Sequence, residues 1–220
     1  MKKAIIFDFD YTLGDSTEGI VQSTDAALIR LGEEKRTREE IKKTVGISLH
    51  ETYKVLSGKD DDEKAELFTK YFIEKANEVM VDCTFLYDKS LYVLEKLKEK
   101  GYKTGIVTTK LNSRIQSILK KFSATHLIDV IVGVENVENV KPHPEGLLLA
   151  CKNLNLNINE VLYVGDSFID ALAAQNAGVD FIGVTTGTTD KEKFSEYKNK
   201  TVCKNIEEVY DFVINNREEI

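Results

Sequence analysis

Short apolar runs alternate with amphipathic segments along most of the chain. Five runs are rich in β-branched residues and have the length of buried strands: 2–8, 103–108, 129–134, 161–166 and 180–185. Between them, apolar residues recur at the spacing of one helix face: 89–100, 111–122, 145–153 and 168–177. Because strands that alternate with helices pair in parallel, this pattern predicts a parallel sheet covered by helices.

Residues 15–83 interrupt the alternation, because they carry helical patterns without a convincing strand. Four helices are expected there: 16–31, 38–44, 49–56 and 61–78. We therefore expect an all-helical domain over residues 15–83, inserted after the first strand. The core domain would then consist of residues 1–14 and 84–220.

Composition narrows the possible partners. A chain of 220 residues with 42% hydrophobic residues can bury a large core, and its net charge of -7 argues against nucleic acid as the main partner. The first apolar run lasts four residues before Asp8, which is too short for a signal peptide or a membrane span. Cys83, Cys151 and Cys203 are widely spaced and show no metal-binding pattern. We expect a cytoplasmic, soluble protein with reduced thiols and no membrane partner.

Two carboxylates close the first apolar run. Asp8 and Asp10 are two residues apart, so they start out on one face of an extended backbone. Like charges at this distance repel unless a cation or a shared proton compensates them. The spacing therefore predicts a divalent metal, an acid/base pair, or both.

Other polar residues fall at the ends of later predicted strands or just beyond them. Thr108 ends the second run, Asp166 ends the fourth, and Asp170 follows in the first turn of the next helix. Lys141 is followed by both prolines of the chain, in Lys141-Pro-His-Pro, and this stiff segment would fix where the ammonium points. Open parallel sheets bind ligands at the carboxyl ends of their strands. The acids among these residues, completed by Asp8, predict a hard-cation site suited to Mg²⁺.

Taken together, these motifs resemble those of the haloacid dehalogenase superfamily hydrolases, in the phosphoglycolate phosphatase-like and β-phosphoglucomutase-like branch with a helical cap. The family's D-x-D-x-T matches residues 8–12, and its strand-end Ser or Thr matches Thr108. Its lysine matches Lys141, and its G-D-x-x-x-D matches residues 165–170. The resemblance covers the whole chain. It implies a Rossmann-like, doubly wound parallel sheet with an all-helical cap inserted after the first strand.

The resemblance also implies catalytic roles. Asp8 would attack phosphorus and form an aspartyl-phosphate, which water then hydrolyses. Asp10 would protonate the leaving oxygen and later deprotonate the water. Thr108 and Lys141 would hold the phosphate oxygens.

The metal and the substrate would be bound by overlapping sets of residues. Mg²⁺ would lie between Asp8, the backbone carbonyl of Asp10, Asp166 and a phosphate oxygen, and Asp170 would orient metal-bound waters or Lys141. Further substrate contacts are expected from residues beside the motifs and from a turn in the insertion, whose amides could meet an anion: Thr12, Thr109, Lys110, Gly46 and Ser48.

One position departs from the family pattern. Tyr11 stands where relatives usually have glycine, and a bulky side chain disfavours positive φ. Either the turn adopts negative φ at Tyr11, or the geometry just after Asp10 differs from that of relatives.

We expect a Mg²⁺-dependent phosphatase for a small phosphorylated metabolite, phosphoglycolate-like or a sugar phosphate. A phosphotransferase of the β-phosphoglucomutase type is an alternative, although that branch typically lacks an acid matching Asp170. Pyrophosphatase and nucleotidase activities stay open. Phospho-accepting receiver domains also combine aspartates, Thr and Lys around Mg²⁺, but they place these residues in a different chain order. A non-catalytic phospho-accepting protein is least favoured, because every expected acid is present.

Overall fold

The computed structural model describes residues 1–218 and divides the chain into two compact units. The first, here the core unit, combines Met1–Asp15 with the chain from Leu86 onward, and the second, the helical unit, is Ser16–Phe85. From the sequence, the boundaries between the two domains were expected after residue 14 and after residue 83. The core domain was expected to extend to residue 220, and residues 219 and 220 lie outside the described part.

The strands, in chain order, are β1 (Ala4–Phe7), β2 (Gly14–Asp15), β3 (Phe85–Leu86), β4 (Lys103–Val107), β5 (Val130–Val132), β6 (Val161–Gly165), β7 (Asp180–Val184) and β8 (Thr201–Cys203). Six of them form a parallel sheet in the order β5-β4-β1-β6-β7-β8. The short strands β2 and β3 lie where the chain passes between the two units.

The α-helices are α1 (Thr17–Arg30), α2 (Arg38–Lys42), α3 (Leu49–Ser57), α4 (Asp62–Val79), α5 (Ser90–Glu99), α6 (Asn112–Lys121), α7 (Glu145–Leu154), α8 (Phe168–Ala177), α9 (Lys191–Phe194) and α10 (Ile206–Asn215). In the core unit, α7 and α8 pack on each other and on the sheet, and α5 packs on α10. All residues of the two central strands β1 and β6 are buried, as expected for parallel strands covered on both faces. The predicted doubly wound α/β fold is confirmed.

The expected strands and core helices appear within about two residues of their predicted bounds. Missing from the prediction are the two-residue strands β2 and β3, and β8, α9 and α10, which follow the last predicted strand. Strand β8 has three residues and α9 has four, so neither is long enough to show a periodic pattern.

The helical unit has a core of its own. Helices α1, α3 and α4 contribute buried residues to one cluster that includes Leu28, Tyr53, Phe68 and Phe72. Its two ends meet where the hydroxyls of Thr84 and Ser16 lie 2.9 Å apart, within hydrogen-bond distance. The role of this unit as a cap stays a prediction.

Cys83, Cys151 and Cys203 are free thiols, and the last two are buried. Within residues 1–218, no helix combines the length and the hydropathy needed to cross a membrane.

Candidate active site

The central strands bring three of the predicted residues to one edge of the sheet. Phe7 at the end of β1 is in register with Ile106 of β4 and Val164 of β6. Asp8, Thr108 and Asp166 each follow their strand directly, so they emerge at the same edge. All three are nearly buried, with exposed fractions of 4–6%.

Lys141 lies at the centre of a buried hydrogen-bond network at this edge. Its ammonium donates to Asp8 Oδ1 at 2.7 Å, to Asp170 Oδ1 at 2.6 Å and to the Tyr163 hydroxyl at 3.1 Å. The side chains of Lys141, Asp8 and Asp170 are 5%, 7% and 1% exposed. One buried cation thus binds two carboxylates.

The acids outnumber this lysine. Asp8, Asp166 and Asp170 each present a carboxylate oxygen, and these oxygens lie within 4.8 Å of one another. Burial, reinforced by the Asp170 charge, raises the pKa of Asp8 to about 7 although Lys141 opposes the shift. Burial and the charges of Asp170 and Asp8 hold the pKa of Asp166 well above its usual range. Burial alone would lower the pKa of Lys141, but the charges of Asp170 and Asp8 raise it.

These donors fit a divalent cation. The three carboxylates are oxygen ligands of the kind that Mg²⁺ prefers, and one lysine, Lys141, forms ion pairs with two of them. The Asp8 and Asp166 carboxylates are the best candidates for direct ligands. Both oxygens of Asp170 already accept hydrogen bonds, Oδ1 from Lys141 and Oδ2 from the Ser167 amide at 3.1 Å. Asp170 is therefore suited to orienting Lys141.

Asp10 lies beside this cluster and is bound by a second buried lysine. The Lys110 ammonium donates to Asp10 Oδ2 at 2.6 Å, and the Lys110 amide donates to the Thr108 hydroxyl at 3.2 Å. The other oxygen, Asp10 Oδ1, is buried and has no hydrogen-bond partner within the described part of the chain. Thr109, between Thr108 and Lys110, is half-buried. Lys110 was expected to bind substrate, and in this structure it holds Asp10.

The turn after Asp10 retains a left-handed residue. Tyr11 has φ of 59°, which excludes the first of the two alternatives left open by the sequence, a negative φ at this position. A left-handed conformation is disfavoured for a bulky residue, and the fold stabilises it here through local contacts. The Tyr11 amide donates to the Gly14 carbonyl at 2.7 Å, and the Tyr11 carbonyl accepts from the Thr186 hydroxyl. Thr12, next in the chain, donates to Asp166 Oδ1 at 3.5 Å.

Gly165 and Ser167 explain how Asp170 reaches the network. A Cβ atom at Gly165 would lie 2.5 Å from Cγ of Asp170, so only glycine leaves room for that side chain. The Ser167 hydroxyl accepts from the Asp170 amide at 3.2 Å and caps α8. The tight turn and the cap together aim the Asp170 carboxylate at Lys141.

Gly46 and Ser48 lie in the helical unit, in the turn between α2 and α3. The Ser48 hydroxyl accepts from the Glu51 amide at 3.2 Å and caps α3, and Gly46 has φ of 99°. Both residues therefore have a local structural role. A substrate contact from either of them stays a prediction.

Two residues that the sequence did not single out, Tyr163 and Thr188, make hydrogen bonds at the site. The Tyr163 hydroxyl accepts from Lys141 and lies 2.8 Å from Asp170 Oδ1, to which it can donate. The Thr188 amide donates to Asp166 Oδ2 at 3.1 Å. Tyr163 could have been found from the sequence, because it places a hydroxyl in an otherwise apolar buried strand. A buried hydroxyl needs a hydrogen-bond partner. Thr188 acts through its backbone, which carries no sequence signal.

The chain is similar in sequence and in fold to known proteins. Residues 5–184 match the family model of the haloacid dehalogenase-like hydrolases. A pyrophosphatase PpaX of Bacillus mycoides strain KBAB4 is 31% identical over 194 residues, which cover 88% of each chain. The crystal structure of a haloacid dehalogenase-like hydrolase from Bacteroides fragilis has 38% identity and a TM-score of 0.92, over 95% of this chain and 100% of that one. A predicted phosphoglycolate phosphatase from Haemophilus somnus 129pt shares the fold, with a TM-score of 0.83 and 24% identity over 96% of this chain and 98% of that one.

Proposed function

Since the chain belongs to the haloacid dehalogenase-like hydrolases, we propose that it is a Mg²⁺-dependent phosphatase acting on a small phosphorylated metabolite. The observation that carries this proposal is the buried cluster of Asp8, Asp166 and Asp170 around a single lysine. A site with this excess of negative charge favours a divalent cation, and a bound cation in turn favours a phosphate.

Asp8 is the proposed nucleophile. Lys141 holds its Oδ1, which leaves Oδ2 to attack phosphorus in line with the leaving group. A bond from Oδ2 to phosphorus forms as the bond from phosphorus to the leaving oxygen breaks, and Asp8 becomes an aspartyl-phosphate. Water then attacks this phosphorus and releases inorganic phosphate, which restores the carboxylate.

Asp10 is the proposed proton carrier for both steps. It gives its proton to the leaving oxygen in the first step and takes one from the attacking water in the second. Lys110 fixes Oδ2, so Oδ1 is the atom available to carry the proton. Asp10 is therefore protonated again at the end of the catalytic cycle, as it was at the start.

The remaining groups stabilise charge. Asp8, Asp166 and the backbone carbonyl of Asp10 would hold Mg²⁺, which when bound neutralises phosphate charge and polarises a phosphoryl oxygen. Thr108 and Lys141 would bind the other phosphoryl oxygens. Because phosphoryl transfer depends mainly on positioning and electrostatics, loss of one charge here should be costly.

The proposed substrate is phosphoglycolate or a sugar phosphate, as the family branch suggests. Inorganic pyrophosphate is the second candidate, because relatives 31–33% identical to this chain carry the name pyrophosphatase PpaX. A cytoplasmic location and the absence of a nucleic-acid partner stay expectations from the sequence.

A substrate panel tests this function. Purified protein is given phosphoglycolate, pyrophosphate, hexose phosphates and nucleoside monophosphates, each with Mg²⁺ and with chelator, and released phosphate is measured. We expect release that requires Mg²⁺. Equal release under chelation would contradict the metal assignment, and conversion of a hexose 1-phosphate to its 6-phosphate without phosphate release would favour the mutase.

A further inference from the structure

The loop after β7, residues 185–189, contacts both acidic motifs of the site although it contains no charged residue. On one side, the Thr186 hydroxyl donates to the carbonyl of Tyr11. On the other side, the Thr188 amide donates to Asp166 Oδ2 at 3.1 Å, and the Thr189 amide donates to the Asp166 carbonyl at 3.3 Å. This segment, called here the 185–189 loop, is thus bound to the residues that follow β1 and β6.

Gly187 lies at the closest point of this contact. A Cβ atom added to Gly187 would lie 1.8 Å from Asp166 Oδ2, 2.3 Å from Cγ and 2.6 Å from Cβ. Real Cβ atoms essentially never approach a neighbour closer than 3.0 Å. The backbone of Gly187 is outside the left-handed region, so the contact with Asp166, and not the conformation, demands glycine.

Asp166 has little freedom to avoid such a side chain. It is 4% exposed, and the Thr12 hydroxyl lies 3.5 Å from its Oδ1 on the side away from Thr188. The Thr188 amide occupies Oδ2, whereas Oδ1 accepts the long hydrogen bond from Thr12, so Oδ1 is the oxygen better placed to bind a ligand. Any side chain at position 187 would have to turn the carboxylate or displace the loop.

We propose that the 185–189 loop positions the Asp166 carboxylate for a divalent cation, and that Gly187 is required because Asp166 fills the space of its side chain. The inference rests on the proposed function in one respect, that Asp166 holds Mg²⁺. The loop would act through the Asp166 carboxylate. Partners that orient a metal-binding carboxylate typically change metal affinity by about 10-fold to 100-fold when they are lost.

Mg²⁺ binding to the full chain, followed by isothermal titration calorimetry without substrate, tests this role separately from turnover. We expect Gly187→Ala to bind Mg²⁺ at least about 10-fold more weakly than the unaltered protein. Gly183→Ala in β7 is the matched control, since the three atoms nearest to its Cβ would all belong to the Phe194 ring, at 3.0–3.1 Å. The control should lose thermal stability and keep its Mg²⁺ affinity within twofold.

A folded Gly187→Ala protein with unchanged Mg²⁺ affinity would overturn the proposal. If Gly187→Ala does not fold, the Mg²⁺ affinity of Thr186→Val tests the proposal instead. This substitution removes the hydrogen bond to the Tyr11 carbonyl without adding an atom that meets Asp166. We expect about threefold weaker binding from Thr186→Val, and unchanged affinity would again overturn the proposal.

The calorimetry also separates this proposal from the function above. Unaltered protein that binds Mg²⁺ but releases no phosphate from any substrate of the panel would contradict the phosphatase and leave the positioning role supported by the variants. Unaltered protein that binds no Mg²⁺ would overturn the positioning role.

Discussion

Two buried lysines bind carboxylates at opposite edges of the same sheet. At the amino edge, Lys2 donates to the carbonyls of Asn159 and Val161 at 2.9 and 2.8 Å and contacts Asp180 Oδ2 at 2.8 Å. At the carboxyl edge, Lys141 binds Asp8 and Asp170. The two lysine side chains are equally buried, with exposed fractions of 2% and 5%.

The two sites differ in their balance of charge. Although burial acts in the opposite direction, hydrogen bonding and charge from Lys2 lower the pKa of Asp180, as in an ordinary ion pair. At the carboxyl edge, burial and the charges of the neighbouring acids raise the pKa values of Asp8 and Asp166 although Lys141 opposes the shift. A buried ion pair alone is therefore weak grounds for a functional site, and excess charge of one sign is the better indicator.

The largest effect is expected from Asp8→Asn, which keeps the size of the side chain and removes the nucleophile. Phosphate release should fall by about 10⁴-fold or more, because the covalent step is lost. Single-turnover kinetics on the substrate from the panel measures it, with Asp180→Asn at the amino edge as the control that keeps its rate within about twofold. Robust turnover by purified Asp8→Asn would sink the assignment of the nucleophile.

Next in size is Lys141→Met, which should lower kcat by roughly 10³-fold, since it removes a charge that binds both the nucleophile and the phosphate. The loss should persist at saturating Mg²⁺ and saturating substrate. Steady-state kinetics over a range of both ligands measures it, and recovery of kcat at high Mg²⁺ would show that Lys141 serves only to balance charge.

In contrast to Lys141→Met, Lys2→Met should lower stability and leave catalysis unchanged. We expect the free energy of unfolding to fall by about 1–3 kcal/mol, because two carbonyls and Asp180 lose a charged donor. The catalytic rate should stay within about twofold, since nothing at the carboxyl edge changes. Denaturant unfolding and the phosphatase assay on the same samples test this, and a tenfold loss of kcat would contradict the separation of the two edges.

The pH dependence of stability should also differ between the carboxyl edge and the amino edge of the sheet. In chelated protein, the raised pKa of Asp8, about 7, means that the folded state binds more protons than the unfolded state between about pH 4 and 7. Stability should therefore fall as pH rises through this window, and added Mg²⁺ should weaken the fall. The lowered pKa of Asp180 has the reverse sign, and its contribution is lost only as pH falls below about 4.

Thermal unfolding at pH 5.5 and 7.5, with chelator and with Mg²⁺, measures this trend. Chelated protein that is at least as stable at pH 7.5 as at pH 5.5 would contradict the excess of negative charge at the carboxyl edge.

Much of the candidate site could be predicted, because several of its residues directly follow the ends of strands. The apolar runs predicted the ends of β1, β4 and β6, and because these strands lie side by side in the sheet, Asp8, Thr108 and Asp166 emerge together. The contacts of Tyr163 and Gly187 depend on which atoms lie across from them, and a strand pattern does not contain that information. The conformation of Tyr11 could not be settled either, because a hydrogen bond from the distant Thr186 helps to stabilise it.

The proposed covalent step can be trapped with Asp10→Asn. Given p-nitrophenyl phosphate and Mg²⁺, this variant should still phosphorylate Asp8, because the leaving group needs little protonation, but it lacks the base that activates water. Acid quenching followed by mass spectrometry of the peptide containing Asp8 should show one phosphoryl group on that residue. Release of p-nitrophenol for many turnovers with unmodified Asp8, or a phosphoryl group on another residue, would contradict the proposed mechanism.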